Sequence, residues 1–151
     1  MAYTEATGRP QAEGLGLDRR FVRPDRTGTA GPVTGIPTVV RGVNNELVTP
    51  TNPVHPKDAL VIYATGLGRT DPVVEAGVPA PFDPLALAVI QPEVTLGGMP
   101  LDVFYAGMTP TLVGVYQINV WVPWNVSEGM SVPLQISQGG NSTTLNVRVV
   151  K

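Results

Sequence analysis

The chain contains no cysteine. A disulfide-stapled scaffold and a thiolate nucleophile are therefore excluded, while the redox compartment stays open, because secreted proteins can do without cysteine. There is one histidine, His55, and it is the only side chain whose ordinary pKa suits base catalysis or imidazole ligation near neutrality. Set between Pro53 and Pro56, it reads as a solvated loop residue. No stretch of about 18 consecutive apolar residues exists, so no helix can be expected to span a bilayer. The formal net charge of −2 and a pI near 5.3 give no general attraction for nucleic acid or for an anionic membrane surface. The opening MAYTEATGRP has none of the apolar core of a signal peptide.

Catalytic motifs are equally scarce. No G-x-S-x-G elbow, H-E-x-x-H pair or phosphate-binding P-loop occurs. Gly66-Leu67-Gly68 starts like a dinucleotide fingerprint, but the third glycine and the following helix are missing. It reads as a turn that ends a strand. Asp71, Glu75 and Asp83 share one long loop and offer the oxygen ligands that calcium takes, yet their spacing matches no calcium loop. No metal or cofactor is expected. Asn125-Val126-Ser127 and Asn141-Ser142-Thr143 match glycosylation sequons, which carry weight only in a eukaryotic secretory setting.

What the chain does have is alternation. ALVIYA (59–64), PEVTL (92–96), LDVFYA (101–106), VYQINVWV (115–122), VPLQIS (132–137) and TTLNVRVV (143–150) repeat with period two, separated by Gly- and Pro-rich turns. This is the pattern of a β-sandwich or small barrel. The 17 glycines and 16 prolines approach the level at which disorder sets in, but the alternation assigns them to turns and to one extended segment. Asn44-Asn45, Gly97-Gly98 and Gly139-Gly140 are the expected hairpin turns. Residues 71–92, with five prolines, read as a long surface connection between sheets, with a helical turn at 84–88.

The alternation also predicts the core. Tyr116, Ile118, Val120 and Val122 share one face; Val115, Gln117, Asn119 and Trp121 share the other. Leu145, Val147 and Val149 point inward, with Leu60, Ile62, Val94, Leu96, Leu134 and Ile136. LDVFYA is apolar on both faces, with Leu101, Val103 and Tyr105 on one, and Phe104 and Ala106 on the other, joined there by Val61 and Tyr63. A partly apolar outer face invites a cover, from the N-terminal segment, the long loop or another subunit. It also fits an ordinary scatter of surface hydrophobes. Trp121 and Trp124, flanking Pro123 at a strand end, suit either sugar stacking or a protein interface, and equally suit burial at the end of the sandwich.

Residues 1–36 differ in kind. They are rich in glycine, and Arg19, Arg20, Arg23 and Arg26 alternate with Asp18 and Asp25, which blunt any field that would draw phosphate. The segment reads as an extended arm or linker without a core of its own, ahead of a sandwich over 37–151. It is either an idle tail or a docking arm. Fully extended, it reaches up to roughly 120 Å, far beyond a domain whose radius of gyration is about 13–14 Å. Its candidate docking residues are Leu15, Leu17, Phe21 and Val33, with Arg19 breaking the apolar face.

YATGLGRTDPV (63–73), VTLGGMPLDVFYAG (94–107), GVYQINVWVP (114–123) and VPLQISQGGNSTTLNVRV (132–149) together resemble the Solibacter-type C-terminal domain of large secreted acidobacterial proteins. That domain is itself similar to the IPT/TIG group of immunoglobulin-like sandwiches. The resemblance covers residues 37–150 and implies an all-β, immunoglobulin-like β-sandwich in an extracellular or cell-surface setting, with no catalytic residues. The expected function is non-enzymatic: a structural subunit whose arm adds a strand to a neighbouring sandwich and builds a filament or other surface polymer. Tyr63, Phe104, Trp121 and Trp124 are the candidate interface aromatics. The alternative is a monomeric adhesion module binding polysaccharide. Neither reading involves nucleic acid or membrane insertion.

Overall fold

The computed structural model describes residues 38–151. The arm candidates Leu15, Leu17, Phe21 and Val33 lie outside the described residues. Eleven strands follow one another among those described: β1 Val39–Arg41, β2 Glu46–Leu47, β3 Ala59–Ala64, β4 Thr70–Asp71, β5 Leu87–Ala88, β6 Glu93–Leu96, β7 Met99–Pro100, β8 Asp102–Met108, β9 Tyr116–Trp121, β10 Gly129–Gln138 and β11 Asn141–Val149. They form two antiparallel sheets, ordered β2-β1-β3-β9-β8-β5-β4 and β11-β10-β6-β7. No helix occurs among the described residues.

Period-two alternation is what lets the two sheets close on each other. In β3 the buried set is Leu60, Ile62 and Ala64, and in β9 it is Tyr116, Ile118 and Val120. From the second sheet come Val94 and Leu96 of β6, Val132, Leu134 and Ile136 of β10, and Leu145, Val147 and Val149 of β11. All of these side chains except Ala64 belong to one continuous core. Two sheets packed face to face around such a layer are a β-sandwich.

The hairpins use the expected turn chemistry. Gly97-Gly98 joins β6 to β7 with φ of 59° and 80°, and Gly139-Gly140 joins β10 to β11 with φ of 56° and 85°. Two successive positive φ values match the strand twist, and glycine takes them without strain. Asn45, at φ 57°, serves the β1–β2 turn. Between β7 and β8 only Leu101 intervenes; it is buried, and its N–H donates to the Val94 carbonyl. The chain thus changes sheets across a single residue.

Three expectations need correction. β8 carries a bulge between Val103 and Tyr105: Val103 opposes Val120 and Tyr105 opposes Asn119. Phe104 is the extra residue, so the alternation shifts by one. Tyr105 joins Phe104 on the outer face, and Ala106 turns into the core. Residues 84–88 hold no helical turn; a turn over 82–85 leads into β5, which pairs with β4 and β8. Val115, expected outside, precedes β9 and is fully buried.

One ion pair braces the end of the first sheet. Arg41 donates from Nε to Asp58 Oδ2 at 2.8 Å and from Nη2 to Asp58 Oδ1 at 3.0 Å. The same carboxylate accepts the His55 N–H at 2.7 Å. At the opposite end Gln138 Nε2 donates to the carbonyls of Leu67 and Ile90, which ties the second sheet to loops of the first.

Gly107 is the tightest backbone contact. A Cβ there would clash with the Ala86 carbonyl oxygen and lie 3.0 Å from Leu87 Cα, so β5 can pair with β8 only against glycine. Gly107→Ala should cost about 1–3 kcal/mol by overpacking, read as a lowered urea midpoint, whereas an alanine at solvent-facing Gly98, with nothing within 4 Å, is disfavoured only by its positive φ.

Candidate functional site

Among the described residues, the carboxylates and the histidine do not form a cluster. Asp58 is committed to Arg41 and to the His55 backbone. Asp71, Glu75 and Asp83 are not gathered: among the described residues no group of three or more His, Cys, Asp or Glu is placed to hold a metal ion. Gly66 and Gly68 take positive φ shortly after β3, and Leu67 between them is buried, so this stretch ends a strand. No helix among the described residues is long and apolar enough to cross a membrane.

The sheet edges are unequal, and this is the first distinctive feature. Of the four edge strands, β2, β4 and β7 are two residues long. β11 is nine residues long. Its outer side is used at one end only, where Val54 forms a parallel bridge with Val149. There the Val54 N–H donates to the Arg148 carbonyl at 2.9 Å and the Val150 N–H to the Val54 carbonyl at 2.9 Å. Arg148 and Val150 therefore aim their backbone groups away from β10. Because backbone direction alternates along a strand, Ser142, Thr144 and Asn146 do the same.

Among the described residues no strand pairs with that side of β11 between Asn141 and Val147. The stretch Asn-Ser-Thr-Thr-Leu-Asn-Val holds no charge and no proline, the usual devices that deter pairing on an edge. On its core-facing row, Thr143, Leu145 and Val147 are buried, and the Thr143 hydroxyl has no hydrogen-bond partner. Beyond this open stretch, Val48 and Val54 are buried in the core, and Arg148 Nη1 donates to the Pro50 carbonyl at 2.7 Å. The segment around Val54 thus fills the lower end of this edge and leaves the upper end open.

The second feature is the outer face of the larger sheet. Across β3, β9 and β8, Tyr63, Gln117 and Gly107 form one row, Val61, Asn119 and Tyr105 the next, and Ala59, Trp121 and Asp102 the third. Phe104, displaced outward by the bulge, stacks on Trp121 with centroids 5.2 Å apart and rings 29° from parallel. Phe104 is 49% exposed and Trp121 48%. Gln117 Nε2 donates to Asn119 Oδ1 at 2.9 Å, and the Tyr105 hydroxyl donates to the Met108 carbonyl at 2.6 Å. Burial raises the pKa of both Tyr63 and Tyr105 above the ordinary value. Three of the four expected interface aromatics, Tyr63, Phe104 and Trp121, share this face. Trp124 follows β9 in a turn, is 74% exposed and makes no ring contact among the described residues.

Sequence reasoning overlooked Tyr105, because the bulge that turns it outward depends on the partner strand. It also left the β11 edge unspecified, although the uncharged run Asn141–Val147 was a usable signal once that strand is known to be an edge. Comparison of the chain with protein-family models, with curated proteins and with solved structures finds no match in any of the three.

The two raised tyrosines set an alkaline limit. The folded state keeps their protons at pH values where the unfolded chain, titrating near 10.0, has lost them, so stability falls as pH rises. It is complete below the unfolded value and declines through the folded values. Urea midpoints taken on either side of 10.0 should show this fall, and the Tyr63→Phe, Tyr105→Phe double variant should flatten it.

Proposed function

We propose that this protein is a non-enzymatic structural subunit that self-assembles into a filament or other surface polymer, its N-terminal arm adding a strand to the sandwich of a neighbouring copy. The observation that carries the reading is the β11 edge, long, uncharged and open from Asn141 to Val147. β-Strand addition draws its affinity from main-chain hydrogen bonds along such an edge and its specificity from alternate side chains. A head-to-tail contact of this kind propagates into rings or open filaments. The sandwich itself is read as immunoglobulin-like. With β1, β3, β6, β8, β9, β10 and β11 taken as strands A to G, the order β1-β3-β9-β8 over β11-β10-β6 is A-B-E-D over G-F-C, the strand order of that fold. Together with the resemblance to terminal domains of secreted proteins, this favours an extracellular or cell-surface setting.

Magnitudes say what the arm must bring. Ser142, Thr144 and Asn146 each offer an N–H and a carbonyl, and six hydrogen bonds contribute about 3–9 kcal/mol net. Ordering a seven-residue backbone costs about 7–14 kcal/mol. Hydrogen bonds alone therefore lose, and buried apolar side chains, at about 1.5–3 kcal/mol each, must tip the balance. A glycine-rich segment of polar residues would not dock.

The full-length chain should form regular filaments, tubes or rings in negative-stain electron microscopy. Removing residues 1–36 should leave a folded monomer, since the described residues already build two sheets with a continuous core between them. Thr144→Pro should also abolish assembly with little loss of stability, because the N–H that it removes points away from β10. Assembly that survives both changes would overturn the reading.

A second reading, a monomeric polysaccharide-binding or adhesion module, is favoured by the Phe104–Trp121 stack beside the Gln117 and Asn119 amides. It predicts saccharide-dependent quenching of tryptophan fluorescence that Trp121→Ala diminishes, and a flat titration across common neutral polysaccharides would exclude it.

A further inference from the structure

Resting on the assembly reading above, we infer that the donor strand is residues 15–21 and that it pairs antiparallel with Asn141–Val147 of a second copy, Asp18 lying opposite Thr144. Among residues 1–37, only the run Leu15-Gly16-Leu17-Asp18-Arg19-Arg20-Phe21 sets three large apolar side chains at alternate positions within seven residues. It therefore supplies the apolar burial that the hydrogen bonds of the edge require.

The register follows from matching the two rows. The core-facing row of the open stretch reads Asn141, Thr143, Leu145, Val147, two polar residues and then two apolar ones. The same-parity row of the donor reads Leu15, Leu17, Arg19, Phe21. Run antiparallel with Asp18 opposite Thr144, it places Leu15 against Val147 and Leu17 against Leu145, with Phe21 beside Asn141 at the end of the strand. Arg19, the break in the apolar row, falls against Thr143, whose buried hydroxyl has no partner and can accept a guanidinium N–H. A parallel strand centred on the same residues sets Arg19 against Leu145 instead. On the solvent row Gly16, Asp18 and Arg20 meet Asn146, Thr144 and Ser142, the residues whose backbone groups point outward, so these are the hydrogen-bonded pairs. The Val54 bridge closes the site after Val147.

Chain length lets the donor reach a second copy, the occupant that the assembly reading requires. Tyr63 N–H donates to the Thr38 carbonyl, so the arm leaves at the end of the sandwich where Gln138 binds the Leu67 carbonyl and β11 begins. The sixteen residues from Val22 to Pro37 span up to roughly 53 Å, more than the roughly 34 Å breadth of a domain of this size.

The absence of cysteine makes the test clean. Two full-length chains, one Asp18→Cys and tagged, the other Thr144→Cys and untagged, are mixed and mildly oxidised, while wild-type assembly is followed separately by sedimentation. The expected result is a heterodimeric disulfide that forms at least about tenfold faster than with Ser142→Cys or Asn146→Cys, whose Cα atoms lie outside disulfide range, and than between Leu17→Cys and Thr144→Cys, on opposite faces. If the wild-type chain polymerises but Asp18→Cys does not select Thr144→Cys, this register is overturned and the assembly reading stands. If the mixed chains form no disulfide while a third chain carrying both Asp18→Cys and Thr144→Cys closes one internally, at a rate independent of dilution, docking between copies is overturned. A wild-type chain that stays monomeric and yields no cross-link overturns both.

Discussion

Burying one face of each sheet against the other is the constraint from which the remaining features follow. Leu60, Ile62, Ile118 and Val120 on one side and Val94, Leu96, Leu134 and Ile136 on the other are fully or almost fully removed from water. Side chains on a strand alternate with period two, so a slip of one residue in any of these strands would carry its apolar set to solvent. Register is therefore strongly specified wherever this layer reaches. The departure at Phe104 is tolerated because it lies where β8 approaches the edge of the core: Val103 is only partly buried, and the strand recovers its inward face at Ala106.

That departure shapes the outer surface. An unbulged β8 would present one aromatic beside Trp121 and send Tyr105 inward. The extra residue gives the face both Phe104 and Tyr105, adjoining Trp121 and Asn119 on β9. An antiparallel sheet with a solvated side ordinarily alternates polar residues there. Here amides and aromatics are interleaved, and two phenols are desolvated enough to resist ionisation. The resulting face differs from the β11 edge in kind: it offers side chains, whereas the edge offers backbone.

Legibility from sequence divides along the same line between local and non-local causes. The inward sets of β3, β9, β10 and β11 were readable because alternation within one strand determines them. The Gly97-Gly98 and Gly139-Gly140 hairpins were readable because positive φ demands particular residues. The bulge at Phe104 was not, since it exists only in relation to Val120 and Asn119 across the ladder. Nor was β5, whose two residues are strand only by pairing with Thr70 and Gly107. That β11 is an edge, with three of its residues facing outward unpaired, is a property of sheet order, and no window of the sequence contains it. Of the candidate site, the aromatic residue types were visible early, but their grouping and the separation of Trp124 were not.

The Val54 bridge has a mechanical consequence. It fastens the segment between β2 and β3 alongside the last strand, with hydrogen bonds to Arg148 and from Val150 running across two nearly parallel stretches of backbone. Tension applied between the two ends of the described sandwich meets this junction along the strand direction. The bonds there, with the antiparallel ladder of β10 behind them, are loaded in shear and must slide together, not peel apart one at a time. Separating β11 from the sandwich at this end therefore requires breaking the Val54 bonds together with the ladder to β10.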